Sequence, residues 1–412
     1  AQSGGTQAAP RRQAAAARLE PEGAALMAPQ NRSSSLIIEG GRRLRGSITV
    51  NGSKNATLGA MAASLLVHDE CILENVPRIG DVEQMRQVLR SLGAEVEWLG
   101  PHVLRLKADN LHSSTPPTEL VASLRGSFLV MGALLGRLGE AACSPPGGDV
   151  IGQRPIDVHL SGFAALGADV SRDGEKFVAR AHALNGATVF ADYPSVLGTQ
   201  NLMLAAVTAR GRTRIVNAAA EPEVQGLADM LQLMGAQISG AGTHTIEIEG
   251  VERLRGTHYA VIPDRLEAGT YAIAAALTKG EIEVQAACPE HLLSLTHKLQ
   301  ESGVHIEIDA DRFWVRGVDE LRALTIQALP YPGLATDLQA LVAVLLTQAD
   351  GVSYIHERVF DNRLLYVSEL RKMGAEVVTT GTTTAIISGP TPLIGAQVRA
   401  LDVRAGAALI LA

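Results

Sequence analysis

The segment Leu92-Gly93-Ala94-Glu95-Val96 carries a pattern that recurs four more times along the chain. The other copies are centred on Gly167, Gly235, Gly303 and Gly374, so successive glycines lie 74, 68, 68 and 71 residues apart. Each glycine stands between an apolar-periodic segment and an alternating one, where the end of a helix needs a residue with positive φ. The sequence therefore predicts structural units that repeat at about 70 residues.

The first copy shows how one unit is expected to fold. Val82, Met85 and Val88 recur at helical spacing and predict an amphipathic helix over residues 81–92. From Ala94 onward apolar and polar residues alternate, which predicts a half-buried strand after the turn. Each unit thus contains a helix, a glycine turn and a strand.

A second, small-residue helix opens each unit behind a polar residue. Six such openings occur against five glycine turns, and a sixth turn would fall at about residue 444, so we expect the last repeat to be incomplete. Six units predict an α/β fold of two domains, each with three β-α-β-α-β-β repeats, sheets outside and closely packed helices inside. The openings begin at Lys54, Arg125, Gly198, Arg265, Asp337 and Arg404.

Composition restricts the class of protein. Among 412 residues, 36 Lys and Arg face 43 Asp and Glu, and the net charge of −7 disfavours nucleic acid as the main partner. The longest apolar run, residues 340–346, is too short to cross a membrane. The three cysteines are odd in number and widely spaced, which argues against a disulfide framework and predicts a cytoplasmic protein.

The chain divides into three expected regions. Residues 1–35 are rich in Ala, Gln, Ser and Pro without apolar periodicity, and we interpret them as a disordered leader. Residues 36–53 and 263–412 are expected to form a first, discontinuous lobe. Residues 54–262 are expected to form a second lobe that carries a lid loop at 144–157.

Cationic residues stand at several of the repeated helix openings. A helix N-terminus attracts anions through its free N–H groups and its dipole, and Lys54, Arg125, Arg265 and Arg404 add positive charge there. A single one of these is most simply an ordinary surface charge. Because they occupy equivalent positions in a repeat, we expect them to converge on a site for a small anionic substrate.

Two aspartates are candidates for acid–base chemistry. Asp149 lies in an irregular loop rich in Pro and Gly that ends near Arg154, although a solvated loop carboxylate is the simpler interpretation. Asp337 begins a strongly apolar helix, where capping is the simpler interpretation. Asp157 and His159 are expected to be structural residues of a helix. The sequence shows no zinc spacing, P-loop or dinucleotide fingerprint, so neither a metal nor a cofactor is predicted.

These segments resemble a known family. The motifs at residues 50–56, 147–157 and 359–363 are similar to those of the UDP-N-acetylglucosamine 1-carboxyvinyltransferases, members of the enolpyruvyl transferase family. The similarity runs from about Leu36 to the chain end. The resemblance implies two inside-out α/β domains and transfer of enolpyruvyl from phosphoenolpyruvate to the 3′-hydroxyl of UDP-N-acetylglucosamine. That reaction is the first committed step of peptidoglycan synthesis.

The resemblance also implies roles for individual residues. Asp337 would take the proton of the sugar hydroxyl, and Asp149 would supply a proton from the lid. Phosphoenolpyruvate would be held by Lys54, Asn55, Arg154, Arg363 and Arg404. The UDP-sugar would be bound by Arg125, Arg154, Pro155, Ile156, Asp157, Val158, Tyr193, Ser195, Val196, Asp337 and Val359.

The lid aspartate departs from most of the family, whose members carry cysteine at the position of Asp149. An ordinary aspartate with a pKa of about 3.9 is ionised at neutral pH, so closure of the lid would have to raise its pKa by desolvation. The expected consequences are an acid-shifted pH optimum and resistance to fosfomycin, which alkylates the cysteine. Two alternatives remain open: another acceptor such as shikimate 3-phosphate, or a non-catalytic protein that binds the UDP-sugar.

Overall fold

A computed structural model describes residues 35–148, 151, 152 and 154–412 of the chain. All but the last residue of the predicted leader therefore lies outside the described residues. The helices are α1 (Lys54–Ala63), α2 (Gly80–Ser91), α3 (Thr118–Ser123), α4 (Val130–Leu138), α5 (Asp157–Ala165), α6 (Val196–Ala206), α7 (Pro222–Leu233), α8 (Arg265–Leu277), α9 (Leu293–Glu301), α10 (Thr336–Leu346), α11 (Val367–Lys372) and α12 (Val403–Leu411). None of these helices is long and apolar enough to cross a bilayer.

The strands are short and distributed along the whole described chain. They are β1 (Arg45–Thr49), β2 (Glu70–Glu74), β3 (Glu95–Trp98), β4 (Leu104–Lys107), β5 (Glu140–Cys143), β6 (Asp169–Asp173), β7 (Lys176–Arg180), β8 (Thr188–Phe190), β9 (Arg212–Val216), β10 (Gln237–Ser239), β11 (Thr245–Glu249), β12 (His258–Ala260), β13 (Glu281–Gln285), β14 (His305–Asp309), β15 (Arg312–Arg316), β16 (Leu321–Arg322), β17 (Thr325–Ala328), β18 (Ala349–Glu357), β19 (Val377–Thr380) and β20 (Thr384–Gly389).

The predicted glycine turns are confirmed at all five positions. Helices α2, α5, α7, α9 and α11 each end two residues before the predicted glycine. The φ angles of these glycines are 108°, 93°, 105°, 105° and 89°, a region that side chains with a Cβ rarely adopt. The repeat therefore reflects a backbone requirement at each helix end.

The sheets repeat with the helices. Three four-stranded sheets have the orders β12-β2-β4-β3, β8-β9-β11-β10 and β1-β13-β15-β14. In each, the first pair is parallel and the next two pairs are antiparallel. The sheet around β18 and β20 follows the same plan, with β16 and β17 sharing the parallel position.

Buried side chains form two separate hydrophobic clusters. Core 1 is built from residues between Ala56 and Val261, and core 2 from Val50 and residues between Leu266 and Leu409. Helices α4 and α6 pack together in core 1, as α8, α10 and α12 do in core 2. A Cβ atom at Gly132 of α4 would lie 2.2 Å from the backbone oxygen of Asn201 in α6. The small residues of the inner helices are therefore needed for close approach, and the predicted fold class is confirmed.

Two antiparallel segments connect the cores. Ser53 N–H donates to Ile262 O at 2.8 Å, and Asp264 N–H donates to Asn51 O at 2.8 Å. A Cβ at Gly52 would lie 1.7 Å from Asn75 O, so only glycine fits at this crossing. The crossing places the start of α1 next to the start of α8.

Candidate active site

A cavity of about 820 Å³ lies where the inner helices of both cores begin. The four cations predicted to converge, Lys54, Arg125, Arg265 and Arg404, all line it. A low-dielectric cavity lined by one sign of charge concentrates counter-ions, so this is a site suited to anions. It is also lined by further predicted residues, namely Asn55, Arg154, Pro155, Tyr193, Ser195, Val196, Asp337, Val359 and Arg363.

Four predicted residues are not among those that line the cavity. Asp149 lies outside the described residues. Val158 is 3% exposed and packs in core 1, against which Ile156 also packs. Asp157 begins α5, where its Oδ1 accepts from Val158 N–H at 2.9 Å and from the Tyr193 hydroxyl at 3.0 Å. The predicted sugar contacts of these residues stay predictions.

Asp337 lies between two arginines at the start of α10. Its Oδ1 is 2.8 Å from Arg363 Nη2, and its Oδ2 is 3.0 Å from Arg404 Nε. Arg363 also donates from Nη1 to Thr336 Oγ1 at 3.2 Å, and the Thr336 hydroxyl donates to Glu357 at 2.7 Å. One carboxylate thus holds two guanidinium groups at the cavity wall.

The capping interpretation of Asp337 is wrong. The residue that precedes α10 is Ala335, and Asp337 lies inside the first helical turn with both oxygens occupied by arginines. Burial alone would raise the pKa of Asp337, but the charges and hydrogen bonds of Arg363 and Arg404 outweigh it and hold the pKa well below its ordinary value. Before an anion binds, Asp337 is therefore a fully ionised and weak base.

Lys54 reaches the cavity from the first position of α1. Ser53 caps this helix, and the Lys54 backbone N–H donates to Asp264, the cap of α8, at 3.2 Å. The Lys54 Nζ is paired with Asp81 Oδ2 at 2.8 Å, and both side chains line the cavity. An anionic ligand would therefore compete with Asp81 for this ammonium group.

Arg125 secures the segment that closes the predicted lid loop. Its guanidinium donates to the carbonyl oxygen of Arg154 and, at 3.5 Å, to that of Pro155. The Tyr193 hydroxyl reaches the same Pro155 oxygen at 3.2 Å. Burial and then the neighbouring charge of Arg154 lower the pKa of Arg125 to about 10. Two partly buried cations at the foot of one loop favour an anion between the loop and the cavity.

The residues of this site belong to a chain with many known relatives. Residues 38–412 match the family model described as EPSP synthase (3-phosphoshikimate 1-carboxyvinyltransferase). The chain is 45% identical over 377 residues to the UDP-N-acetylglucosamine 1-carboxyvinyltransferase of Desulfosudis oleivorans, covering 92% of this chain and 90% of that protein. A relative of the same name from Caldanaerobacter subterraneus is 46% identical over 379 residues, or 92% and 91% of the two chains. The chain belongs to the UDP-N-acetylglucosamine 1-carboxyvinyltransferase family. It is accordingly a transferase.

Solved structures support the fold of this family member. The enolpyruvyl transferase NikO from Streptomyces tendae superposes with a TM-score of 0.82 at 24% identity, over 91% of this chain and 89% of that one. An EPSP synthase from Acinetobacter baumannii gives a TM-score of 0.70 at 17% identity, over 91% and 90%. At these identities the likeness concerns the fold alone.

The cavity of this carboxyvinyltransferase homologue also contains acidic residues that the sequence did not reveal. Glu223 binds Arg265 in a bidentate pair at 3.0 and 3.2 Å, and Glu221 and Asp81 line the same wall. For Glu223 and Asp81 the available signal was an acidic residue in the first turn of a helix, which is common and weak. Within the described residues no group of three His, Cys, Asp or Glu side chains is placed to hold a metal ion.

Proposed function

We propose that the chain transfers the enolpyruvyl group of phosphoenolpyruvate to the 3′-hydroxyl of UDP-N-acetylglucosamine and releases phosphate. The observation that carries this proposal is the 820 Å³ cavity, which is lined by cations from both cores and in which Arg363 and Arg404 bind Asp337. The names of the relatives at 45% and 46% identity support the choice of acceptor. The reaction is the first committed step of peptidoglycan synthesis.

The two substrates divide the cavity between them. Lys54, Asn55, Arg154, Arg363 and Arg404 hold the phosphate and carboxylate of phosphoenolpyruvate, because ammonium and guanidinium groups pair with such anions. The segment of Arg154, Pro155, Ile156, Asp157 and Val158 binds the UDP-sugar together with Arg125, Tyr193, Ser195, Val196, Asp337 and Val359.

The reaction proceeds by addition and elimination. In the addition step the hydroxyl oxygen bonds to C2 of phosphoenolpyruvate, its proton passes to Asp337, and C3 takes a proton from Asp149. In the elimination step the C2–O bond to phosphate breaks and phosphate leaves with the electron pair. The carboxylate of Asp149 takes a proton back from C3, which restores the double bond. Arg363 and Arg404 stabilise the negative charge of the departing phosphate.

Binding of phosphoenolpyruvate also prepares the base. Its negative charges neutralise part of the field that Arg363 and Arg404 now exert on Asp337. Weakening the field of the two arginines raises the pKa of Asp337 toward the range in which its carboxylate can accept a proton. Asp337 therefore becomes a useful base only when phosphoenolpyruvate is bound.

The chain is further proposed to act as two lobes in the cytoplasm. The lobes are residues 36–53 with 263–412, and residues 54–262 with the lid loop 144–157. The division of buried side chains into cores 1 and 2 supports this proposal. Cys71, Cys143 and Cys288 are all free thiols, which fits a reducing compartment.

Fosfomycin is expected to leave the wild-type chain active, because the residue at the lid position is Asp149. The buried thiols of Cys71 and Cys143 do not offer fosfomycin an alternative target. Burial raises the pKa of Cys71 to about 11 and that of Cys143 to about 12, so neither forms the reactive thiolate at neutral pH. The variant Asp149→Cys should become sensitive, measured as time-dependent loss of phosphate release. Adding Cys143→Ser to that variant is the control and should not restore resistance. Rapid inactivation of the wild type would contradict this role of Asp149.

The acceptor is tested by phosphate release from phosphoenolpyruvate with two candidate hydroxyl donors. UDP-N-acetylglucosamine should support turnover, whereas shikimate 3-phosphate should give a rate at least about 100-fold lower. Shikimate 3-phosphate would leave buried polar groups of the UDP-sugar site without a hydrogen-bond partner. Turnover with shikimate 3-phosphate but not with UDP-N-acetylglucosamine would overturn the proposed acceptor. Binding of the UDP-sugar by calorimetry without any phosphate release would instead indicate a non-catalytic binding protein.

A further inference from the structure

A group of four residues joins the two cores at the back of the cavity, and we call it the seam cluster: Glu221, Glu223, Arg265 and Tyr331. Glu221 immediately precedes α7, and Glu223 lies in its first turn, so both are held by core 1. Arg265 begins α8, which packs in core 2. All four side chains line the cavity.

Arg265 directs its side-chain hydrogen bonds to Glu223. The Nε and Nη2 atoms of Arg265 donate to the two oxygens of Glu223 at 3.0 and 3.2 Å, a bidentate pair with side chains 11% and 3% exposed. The guanidinium carbon also lies 5.8 Å from the centre of the Tyr331 ring. The seam cluster thus contains two carboxyl groups and one cation.

Glu221 is left with little to stabilise a negative charge. Its Oε1 accepts one long hydrogen bond, 3.3 Å, from the Tyr331 backbone N–H, and its Oε2 is buried without a hydrogen-bond partner among the described residues. The residue is 8% exposed. A buried carboxylate oxygen without a donor is strongly disfavoured, whereas an uncharged carboxylic acid is tolerated. Burial accordingly raises the pKa of Glu221, although hydrogen bonds from the backbone N–H groups of Tyr331 and Glu221 and the charge of Arg265 oppose this rise. The charge of Glu223 adds a smaller upward effect.

The backbone that Glu221 holds leads directly to Asp337. Tyr331 lies in the segment 329–335, which folds back on itself through Leu329 N–H to Leu334 O at 3.0 Å and Gly333 N–H to Pro330 O at 2.9 Å. This segment ends at Ala335, the residue that precedes α10, and Asp337 follows two positions later. A shift of Tyr331 is therefore transmitted along a short, hydrogen-bonded segment to Asp337.

We propose that Glu221 is a positioning residue for enolpyruvyl transfer. As an uncharged carboxylic acid it holds the segment 329–335 of core 2 against the start of α7 in core 1, and so fixes Asp337 relative to the groups that core 1 brings to the cavity. This inference rests on the proposed function for its catalytic consequence. Its structural part, the uncharged seam contact, does not depend on the substrate.

Ionisation of Glu221 would disturb the seam. A second carboxylate would compete with Glu223 for Arg265 and repel it, because these groups face each other in a poorly solvated site. The other titratable groups around Arg265 are His291, in the 3-10 helix Pro289–Leu292, and Asp337 on α10. Neither adds a cation for Glu221, since burial lowers the pKa of His291 and Asp337 is itself an anion.

The first experiment measures kcat and KM against pH for Glu221→Gln and Glu221→Ala. Glutamine reproduces the uncharged acid, so E221Q should keep kcat within about threefold near neutral pH. We expect kcat of the wild type to decline at alkaline pH and kcat of E221Q not to show this decline. Alanine removes the Tyr331 contact, so E221A should lower kcat by about 10- to 100-fold, with a smaller change in KM for the UDP-sugar. The exposed Glu249→Gln is the matched control and should retain the wild-type profile.

The second experiment needs no substrate. A glutamate whose pKa is higher in the folded state stabilises the fold below its unfolded pKa of about 4.3 and loses that stabilisation as pH rises through the folded value. The unfolding free energy of E221Q relative to wild type should therefore increase with pH over that window, measured by urea titration. If the difference in unfolding free energy between E221Q and wild type does not change with pH, the proposal that Glu221 is uncharged would be overturned.

The two readouts separate the possible failures. E221Q as inactive as E221A would show that the ionised form is required and overturn the proposal. E221A with wild-type kcat and pH profile would show that the seam contact does not position the reacting groups. If the wild type itself released no phosphate, the proposed function would fail, whereas the stability series would still decide whether Glu221 is uncharged.

Discussion

Replacing Asp337 with asparagine is expected to lower kcat by about 10²- to 10⁴-fold, the range for loss of a general base. The amide keeps the shape of the carboxylate but cannot take the proton of the sugar hydroxyl. It also leaves Arg363 and Arg404 without the anion that now pairs them at 2.8 and 3.0 Å. The change should therefore appear in kcat of phosphate release far more than in calorimetric affinity for the UDP-sugar.

The same variant should change the acid stability of the fold. A carboxylate with a depressed folded pKa stabilises the protein above its unfolded pKa of about 3.9, and this stabilisation is lost as the pH falls toward the folded value. D337N lacks the contribution, so its deficit in unfolding free energy should shrink as the pH is lowered below about 4. Asp350→Asn, an exposed aspartate on β18, is the control and should match wild type in both assays. A D337N enzyme with kcat within threefold of wild type would contradict the base assignment.

Removing the Arg363 side chain is expected to damage both catalysis and stability. The residue is 5% exposed, pairs with Asp337 at 2.8 Å and donates to Thr336 at 3.2 Å. Arg363→Ala leaves Asp337 with one cation and removes a donor aimed at the phosphate. We expect kcat/KM for phosphoenolpyruvate to fall by about 10²- to 10³-fold. The unfolding free energy should fall by about 1.5–3 kcal/mol, the range for loss of hydrogen bonds to a charged group, because Arg404 still pairs with Asp337.

An exposed ion pair supplies the matched control for that variant. Arg180 and Glu140 lie 3.0 Å apart with side chains 58% and 45% exposed. Because water and salt screen such a pair, Arg180→Ala should cost about 0–1 kcal/mol of unfolding free energy and leave turnover unchanged. Equal stability losses from R363A and R180A in urea titrations would contradict the importance given to the buried pair.

The repeated helix ends could be predicted from the sequence because each depends on one local requirement. Gly93 and its four counterparts are needed where the backbone takes a positive φ, and this need is visible in the residue itself. The six helix openings were predicted less sharply. Lys54 and Arg265 begin α1 and α8, whereas α6, α10 and α12 begin one or two residues before Gly198, Asp337 and Arg404. Arg125 begins a 3-10 helix, Arg125–Leu129, that leads into α4. Apolar periodicity is a local signal that identifies the helical segment but not its first residue. The convergence of Lys54, Arg125, Arg265 and Arg404 followed from the repeat.

Charge pairing could not be predicted in this way. Asp337 resembles a helix cap locally, but its partner Arg404 lies 67 residues away in sequence. Asp81 and Glu223 are likewise brought to Lys54 and Arg265 by packing, across 27 and 42 residues. Of these three pairs, Glu223 with Arg265 joins the two cores, and the other two form between helices of a single core. Such partners depend on tertiary packing, which no local pattern records.

Contiguous motif residues were also expected to share one role. Residues 156–158 lie at the start of α5, where successive side chains point in different directions around the helix axis. Val158 therefore enters core 1, while Asp157 turns toward Tyr193. The sequence identified the segment, and the helix geometry determines which side chain can reach the cavity.

The central claim, that this cavity transfers an enolpyruvyl group, is tested most directly with phosphoenolpyruvate carrying ¹⁸O in its C–O–P bridge. In the proposed reaction the C2–O bond breaks, so all of the ¹⁸O should leave in the phosphate, in equal amount with an enolpyruvyl derivative of UDP-N-acetylglucosamine seen by mass spectrometry. Unlabelled phosphate with ¹⁸O retained in pyruvate, and no sugar adduct, would show cleavage of the P–O bond and contradict the account.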